Sequence, residues 1–376
     1  MVISYLDSSI RVETATMYLT RHGGCDTVLS RMGFTEPHFE RHVVDAAGEV
    51  LIGLHDRVAD LGGEDIYTII NNWRAAHGYP LNTFQMTLRR WARQVFPAAL
   101  VTQRIKRLEA IKQKLVSMHG QFSLSEMQDI GGCRAVVATV DQVYRIAERY
   151  GESDFEHELD YTNDYIKGPN ARSGYRSLHL IYRHRSRARP AYNGQRIEVQ
   201  LRTSLQHTWA TAVETADIFL REALKAKRGS PEWTRFFILM SSVFASWENC
   251  RRVPRTPPEM NVLKTELASL VDRLDVLNRF RSFQTSLRVM EKYRPKGNLY
   301  SVLLLNPAAG TVTIYDFRPS EFEKASETYA GLERNKPEGG DVLLVKADNA
   351  ASIRRMYPFY FPTTEEFRKC VRRAIS

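Results

Sequence analysis

The sequence predicts an α/β protein, more narrowly α+β: a mixed β-sheet flanked by helices, with a helical N-terminal region and a small C-terminal α+β domain. Three observations predict it. Residues 196–202 alternate apolar Ile197, Val199 and Leu201 with polar Arg196, Glu198, Gln200 and Arg202, the period-two signature of a strand with one buried face. A second apolar run, Cys133 to Ala138, opens on Gly131-Gly132, where glycine permits close backbone approach at a strand start. Between and around such runs lie helix-period stretches, among them residues 141–150 and the face formed by Phe84, Leu88 and Trp91.

Bulk properties narrow the class. A chain of 376 residues with 43% hydrophobic content can bury more than one core, about two or three domains' worth. A formal charge of +10 fits polyanionic company such as nucleotides, RNA or DNA, and the excess is spread over patches at 183–189 and 251–255. Cys25, Cys133, Cys250 and Cys370 form no ligand cluster or paired framework, which argues against structural zinc and disulfides and fits a reducing cytosol. The longest apolar run, at 236–240, is far too short to span a bilayer, so a soluble cytoplasmic protein without a membrane partner is expected.

Taken in order, residues 1–95 read as helices broken at Gly23-Gly24, Gly62-Gly63 and 79–82. His55-Asp56 stands alone, without the further His and Asp ligands that a metal-dependent phosphohydrolase needs. Residues 102–118 read as a basic helix with Arg104 at its start, where it reaches a ligand shared with Lys106 and Lys114; cations converging at a helix N-terminus suit a polyphosphate. Strands are expected at 155–161 and 175–180, the latter setting Tyr175, Ser177 and His179 on one face after a basic Gly/Pro-punctuated loop that carries Lys167 and Arg172. A tyrosine, a hydroxyl and an imidazole projecting together there look like a pocket for a base and sugar.

Helices follow at 205–227 and 231–251. The Pro-rich stretch 253–258 predicts a boundary, so the division reads 1–95, 96–252, 253–297 and 298–376. Leu263, Leu267, Leu270, Leu274 and Leu277 repeat in heptad-like fashion beyond it, for packing or for a homo-oligomer. Strands at 299–306 and 311–317 form a hairpin around 307–310, and with a helix, a strand at 341–345 and two short helices they make a regulatory or partner-binding unit. Asp129 and Glu198, acids on two neighbouring strands, are the minimum that a nucleotide-bound Mg²⁺ asks of a protein.

These pieces resemble the synthetase domain of the RelA/SpoT alarmone family. The resemblance rests on Arg104-x-Lys106 with Lys114, Asp129-Ile130-x-Gly132-x-Arg134, Asp164-Tyr165-Ile166 to Pro169, Gly174 to His179, and Ile197 to Thr203, five ordered motifs over about a third of the chain. It implies a nucleotidyltransferase-like sheet and transfer of the β,γ-diphosphate of ATP to a ribose 3′-hydroxyl. Asp129 and Glu198 would hold Mg²⁺, and Glu198 would also serve as base. Arg104, Lys106, Lys114 and Arg134 would bind ATP. Tyr175, His179, Lys167, Arg172, Ser177 and Gln200 would face the acceptor.

Departures from the family pattern bear on that acceptor. Ala110-Ile111 stands where Ser-Ile is frequent, Ser173 stands where Asn is common, and the loop before it is one residue longer. Similar stand-alone members include toxins that pyrophosphorylate the 3′ end of tRNA. The reading is therefore a ppGpp-type synthetase using GDP or GTP. Its alternatives are a tRNA-modifying (or adenosine-nucleotide-modifying) toxin, with an antitoxin or regulatory partner at the C-terminal domain, and an inactive nucleotide- or RNA-binding sensor.

Overall fold

The computed structural model describes residues 33–118, 120–152, 155–220, 231–277, 280, 299–306, 311–337, 341–347 and 364–376. At its centre five strands form a mixed sheet: β1 (Leu100–Ile105), β2 (Gly131–Val137), β3 (Glu158–Asp164), β4 (Leu178–Arg183) and β5 (Arg196–Thr203), in the order β1-β2-β5-β4-β3. Only β2 and β5 run parallel; every other neighbouring pair is antiparallel. The alternating segment is thus an inner strand. Ile197, Val199 and Leu201 are buried on one face, and Glu198, Gln200 and Arg202 are buried on the other as well, because helices cover both sides.

The apolar face packs on α3 (Gly78–Val95) and α5 (Val140–Glu152), whose Phe84, Leu88, Trp91, Val143, Ile146 and Tyr150 share a core with Val199 and Leu201. Each such buried side chain stabilises the fold by about 1.5–3 kcal/mol. The break before α3 falls at His77 rather than at 79–82; Pro80 sits in the helix's first turn, where no backbone donor is required. α1 (Arg41–Leu51), α2 (Ile66–Ala76) and α4 (Leu108–Ser117) form a second core through Val44, Ile70, Trp73, Ile111 and Leu115. The Gly62-Gly63 turn separates a 3₁₀ segment, His55–Leu61, from α2, which Asp65 caps by accepting from the Thr68 N–H. The Gly23-Gly24 turn lies outside the described residues.

Three sequence expectations are corrected at this level. Residues 100–105 are a strand and the basic helix begins only at Leu108, because pairing with β2 holds Arg104 extended opposite Gly132. The strand expected at 155–161 runs from Glu158 to Asp164. Tyr175 and Ser177 precede β4, since Gly174 turns the chain at φ +81°. A Cβ there would come within 3.1 Å of the Ile238 backbone, and Ser241 Oγ donates to the Gly174 carbonyl at 2.5 Å.

A helical layer covers the polar face. α6 (Ser204–Leu220) and α7 (Pro231–Trp247) pack with α8 (Met260–Arg273), so the Pro-rich stretch 253–258 joins helices that share one core. Leu263, Leu267 and Leu270 are spent on that internal packing. The C-terminal unit has an antiparallel sheet of β6 (Leu299–Asn306), β7 (Thr311–Phe317) and β8 (Asp341–Ala347) in the order β7-β6-β8, backed by α9 (Phe322–Arg334). The last helix, α10 (Thr364–Ile375), returns Phe367 and Val371 to the core of α6–α8. The hairpin turn at 307–310 is outside the described residues, and among those described no helix is long and apolar enough to cross a membrane.

Candidate active site

Asp129 stands just before β2, at the end of a loop whose backbone is tied to β1 by the Lys106 N–H donating to the Ile130 carbonyl at 2.7 Å. Its two oxygens are divided between two ammonium groups: Lys106 Nζ donates to Oδ2 at 2.7 Å and Lys114 Nζ to Oδ1 at 2.9 Å. Burial would raise the carboxyl's pKa, but Lys106 and Lys114 outweigh it and hold the group well below the usual carboxylate range. Lys106 is itself lowered, chiefly by burial, against the pull of Asp129 and with help from Arg104 and Lys114. Lys106 and Lys114 share Asp129, whereas Arg104, on β1, is felt there only through its charge on Lys106.

Glu198 lies on β5 in register with Gly132 of β2. A Cβ at Gly132 would sit 3.8 Å from Glu198 Oε2, an ordinary contact distance. The acid belongs to a closed ring of side chains. His179 Nδ1 is 2.9 Å from Oε1 and Gln200 Nε2 donates to Oε2 at 2.6 Å. His179 Nε2 meets the Tyr175 hydroxyl at 2.7 Å. Arg202 donates to that hydroxyl and, at 3.1 Å, to Gln200 Oε1, which also accepts from Arg134 Nε at 3.1 Å.

The ring sets its members' charges. Burial alone would raise Glu198, but His179 overcomes it and brings the carboxyl to about 2, even though the charge of Asp129 pushes the other way. His179, which burial would lower, is raised to about 9 by Tyr175 and Glu198. Tyr175 is drawn down to about 8 because Arg202 and His179 outweigh its burial.

A cavity of about 260 Å³ opens beside the ring between Arg104, Arg134, Tyr175, Arg202, Trp209 and Phe237. Residues read separately as ATP-binding (Arg104, Arg134) and acceptor-binding (Tyr175, Gln200) therefore line one space. Burial, with Arg202 close by, lowers Arg134 to about 9. Lys167 and Arg172 lie in the exposed loop after β3, which Asp164 fixes by accepting from the Tyr144 hydroxyl and from the backbone N–H groups of Ile166 and Lys167.

Ser177 is corrected as an acceptor-facing hydroxyl. It is wholly buried, donates to the Leu201 carbonyl and accepts from Arg202 Nε, so it braces the ring from behind. Arg202 is the site residue that sequence reasoning left out, although its two-residue step from Gln200 already put it on the same face. Trp209 and Phe237 carried no such signal, because only the folding of α6 and α7 onto the sheet brings them there.

The residues present fit a divalent cation bound together with phosphates. Asp129, just before β2, and Glu198, on β5, are ionised carboxylates that would supply hard oxygen ligands, and Mg²⁺ commonly takes one or two of these plus substrate oxygens. Among the described residues no group of three or more His, Cys, Asp or Glu offers a complete protein cage.

Fold and site together define a mixed-sheet domain with a basic, aromatic-walled cavity beside the hydrogen-bonded ring that holds Glu198. Residues 103–220 match the model of the region found in RelA / SpoT proteins. The sequence is 31% identical over 120 residues to GTP pyrophosphokinase YjbM of Bacillus subtilis (strain 168), covering 31% of this chain and 54% of that protein. It is 27% identical over 119 residues to GTP pyrophosphokinase YwaC of the same strain, covering 31% and 56%. The chain thus spans about half the length of the curated relatives it matches. Among solved structures, small alarmone synthetase 1 from Bacillus subtilis bound to its product pppGpp is 20% identical with a TM-score of 0.39, the match covering 46% of this chain and 89% of that one.

Proposed function

We propose that the protein is a Mg²⁺-dependent pyrophosphokinase that moves the β,γ-diphosphate of ATP to the ribose 3′-hydroxyl of a guanosine nucleotide, GDP or GTP, releasing AMP. The observation that supports the reading is a pair of engaged carboxylates on adjoining elements: Asp129, held by Lys106 and Lys114 just before β2, and Glu198, held by His179 and Gln200 on β5. The curated relatives are both named GTP pyrophosphokinases, which supports the same activity class.

In this reading Lys106 and Lys114 exchange part of their hold on Asp129 for the ATP phosphates, and Arg104 and Arg134 line the cavity that receives the nucleotide. A bound Mg²⁺ would be held by Asp129 and Glu198 and would supply charge neutralisation on the phosphates. Glu198 orients the 3′-hydroxyl and accepts its proton. Its low pKa makes it a weak base, which suffices where phosphoryl transfer passes through a loose transition state and the proton leaves late. Tyr175, with its hydroxyl held by His179 and Arg202, offers the acceptor base a fixed ring.

A second reading is favoured by one observation: Lys167, 77% exposed although it pairs with Asp164 at 3.7 Å, and the exposed Arg172 present cations at the surface, where the backbone of a longer polyanion such as tRNA could reach them. One experiment tests both. The chain is incubated with γ-labelled ATP and Mg²⁺ plus GDP, GTP, ATP or tRNA, and the labelled species is identified. Label in GDP or GTP is expected; label in tRNA alone transfers the conclusion to the toxin-type reading, and absence of AMP release with every acceptor overturns both and leaves a binding module.

A further inference from the structure

The C-terminal unit reaches the phosphate-facing cations through a small set of buried polar groups. Helix α4, which carries Lys114, starts after Arg107, whose side chain provides no cap. Its first N–H, that of Leu108, instead donates to Glu333 Oε1 on α9 at 2.6 Å, across 225 residues of sequence. A carboxylate at this position both satisfies a donor that the helix cannot satisfy itself and meets the positive end of its dipole.

Glu333 does not act alone. Arg74 Nη1 donates to its Oε2 at 3.2 Å, Arg74 Nη2 donates to the Tyr329 hydroxyl at 2.6 Å, and that hydroxyl donates to Glu333 Oε1 at 2.8 Å. The remaining arm of Arg74, Nε, donates to the Lys106 carbonyl at 3.0 Å. The Lys106 peptide is therefore held from both sides, its N–H by Ile130 and its carbonyl by Arg74. Arg74, Tyr329 and Glu333 are all buried. A further contact, Arg334 over the Tyr67 ring at 5.5 Å, seats α9 on α2.

We propose that Glu333 and Arg74 are positioning residues through which the docked C-terminal unit fixes Lys106 and Lys114 for polyphosphate binding. The consequence for ATP rests on the function proposed above; the mechanical link rests on the contacts alone. Because binding and docking share the β1–α4 junction, ATP should also favour the docked state, since coupling between two sites is reciprocal.

The test uses the full chain and two readouts: hydrogen–deuterium exchange over residues 106–114, and calorimetric binding of a non-hydrolysable ATP analogue with Mg²⁺. Glu333→Ala is expected to speed exchange at the first turn of α4 by about tenfold, the usual scale for loss of one helix cap. It should weaken analogue binding by about five- to tenfold, leaving the KM for the nucleotide acceptor within about twofold. Glu333→Gln keeps an oxygen for the Leu108 N–H and should recover most of the protection. Tyr329→Phe, which removes one hydroxyl and keeps the ring, should give a smaller change in the same direction and decides the matter if Glu333→Ala does not fold. Lys324→Ala, on the exposed side of α9, should change neither readout. Unchanged exchange in Glu333→Ala and Tyr329→Phe overturns the link, as does faster exchange with unaltered or tighter analogue binding. A wild-type chain that binds no analogue overturns the ATP reading instead, and the exchange arm still decides the link.

Discussion

Replacing Glu198 with Gln removes one charge and almost no volume, yet the ring makes it a severe change. Both carboxylate oxygens accept, from His179 Nδ1 at 2.9 Å and from Gln200 Nε2 at 2.6 Å. An amide can accept at only one of those positions, so its own NH₂ would face either an imidazole N–H or the Gln200 amide. Turning Gln200 over does not help, because its oxygen already accepts from Arg134 and Arg202 and would be replaced by a donor facing two guanidinium groups. One buried donor is left unsatisfied, at about 1–3 kcal/mol. If Glu198 also takes the 3′-hydroxyl proton, its loss slows transfer by about 10²–10⁴-fold. The assay is AMP release from ATP with the preferred acceptor, beside a urea unfolding curve of the same preparation. The expected result is a protein less stable by that margin, still folded, with at least about a hundredfold lower kcat. A folded Glu198→Gln protein that releases AMP within about fivefold of wild type would falsify the role given to this carboxylate.

Other consequences follow from neighbouring groups. Chelation by EDTA should stop label transfer and added Mg²⁺ restore it, while Asp129→Asn should raise the Mg²⁺ needed for half-maximal rate by about tenfold or more; activity that persists in EDTA contradicts the cation's place at these acids. His77 is buried and lowered by that burial to about 4 from an ordinary 6.5. It is neutral when folded and protonates more readily when unfolded, so its contribution is full above about pH 6.5 and is lost as pH falls towards 4. That contribution is at most about 3 kcal/mol. Urea midpoints at pH 7 and pH 5 check it, a His77→Gln protein should show a flatter profile, and identical profiles would exclude His77 as a source. Arg176 Nη1 and Glu248 Oε2 form a buried pair at 2.7 Å behind the Tyr175 loop; Glu248→Ala should cost about 3–5 kcal/mol, and Arg176→Met with Glu248→Leu together should cost less. Additive losses in that double mutant would show that the two charges are not coupled.

Much of the site was legible because strand periodicity is a local property. Two-residue steps placed Glu198 and Gln200 on one face, and the glycines before Cys133 marked where a neighbouring strand comes close. Helical spacing likewise identified Phe84, Leu88 and Trp91 as the face of α3. Residues 100–105 misled for a physical reason: Thr102, Gln103 and Arg104 have no apolar alternation of their own, and their extended state is settled by pairing with residues 131–136. The Pro-rich stretch at 253–258 misled in a similar way, since proline ends a helix but does not decide whether the next helix packs on the last. Nothing local in Arg74, Glu248 or Glu333 announces its charged partner or the Leu108 N–H, because these lie tens to hundreds of residues away.

The alternation of residues 196–202 also explains why most of the site's polar groups are engaged with one another, Arg202 Nη1 being a buried exception. A strand with one wet face would let Glu198, Gln200 and Arg202 exchange water freely. Here α6 and α7 close that face and leave each group buried, where an unpaired charge or donor is costly. Glu198, Gln200 and Arg202 then bond to one another and to His179, Tyr175 and Arg134, and Arg202 Nη1 is left for whatever enters the cavity beside them. The strand supplies the chemistry, and the covering helices make that chemistry selective, since only a ligand able to replace those hydrogen bonds can displace them without loss.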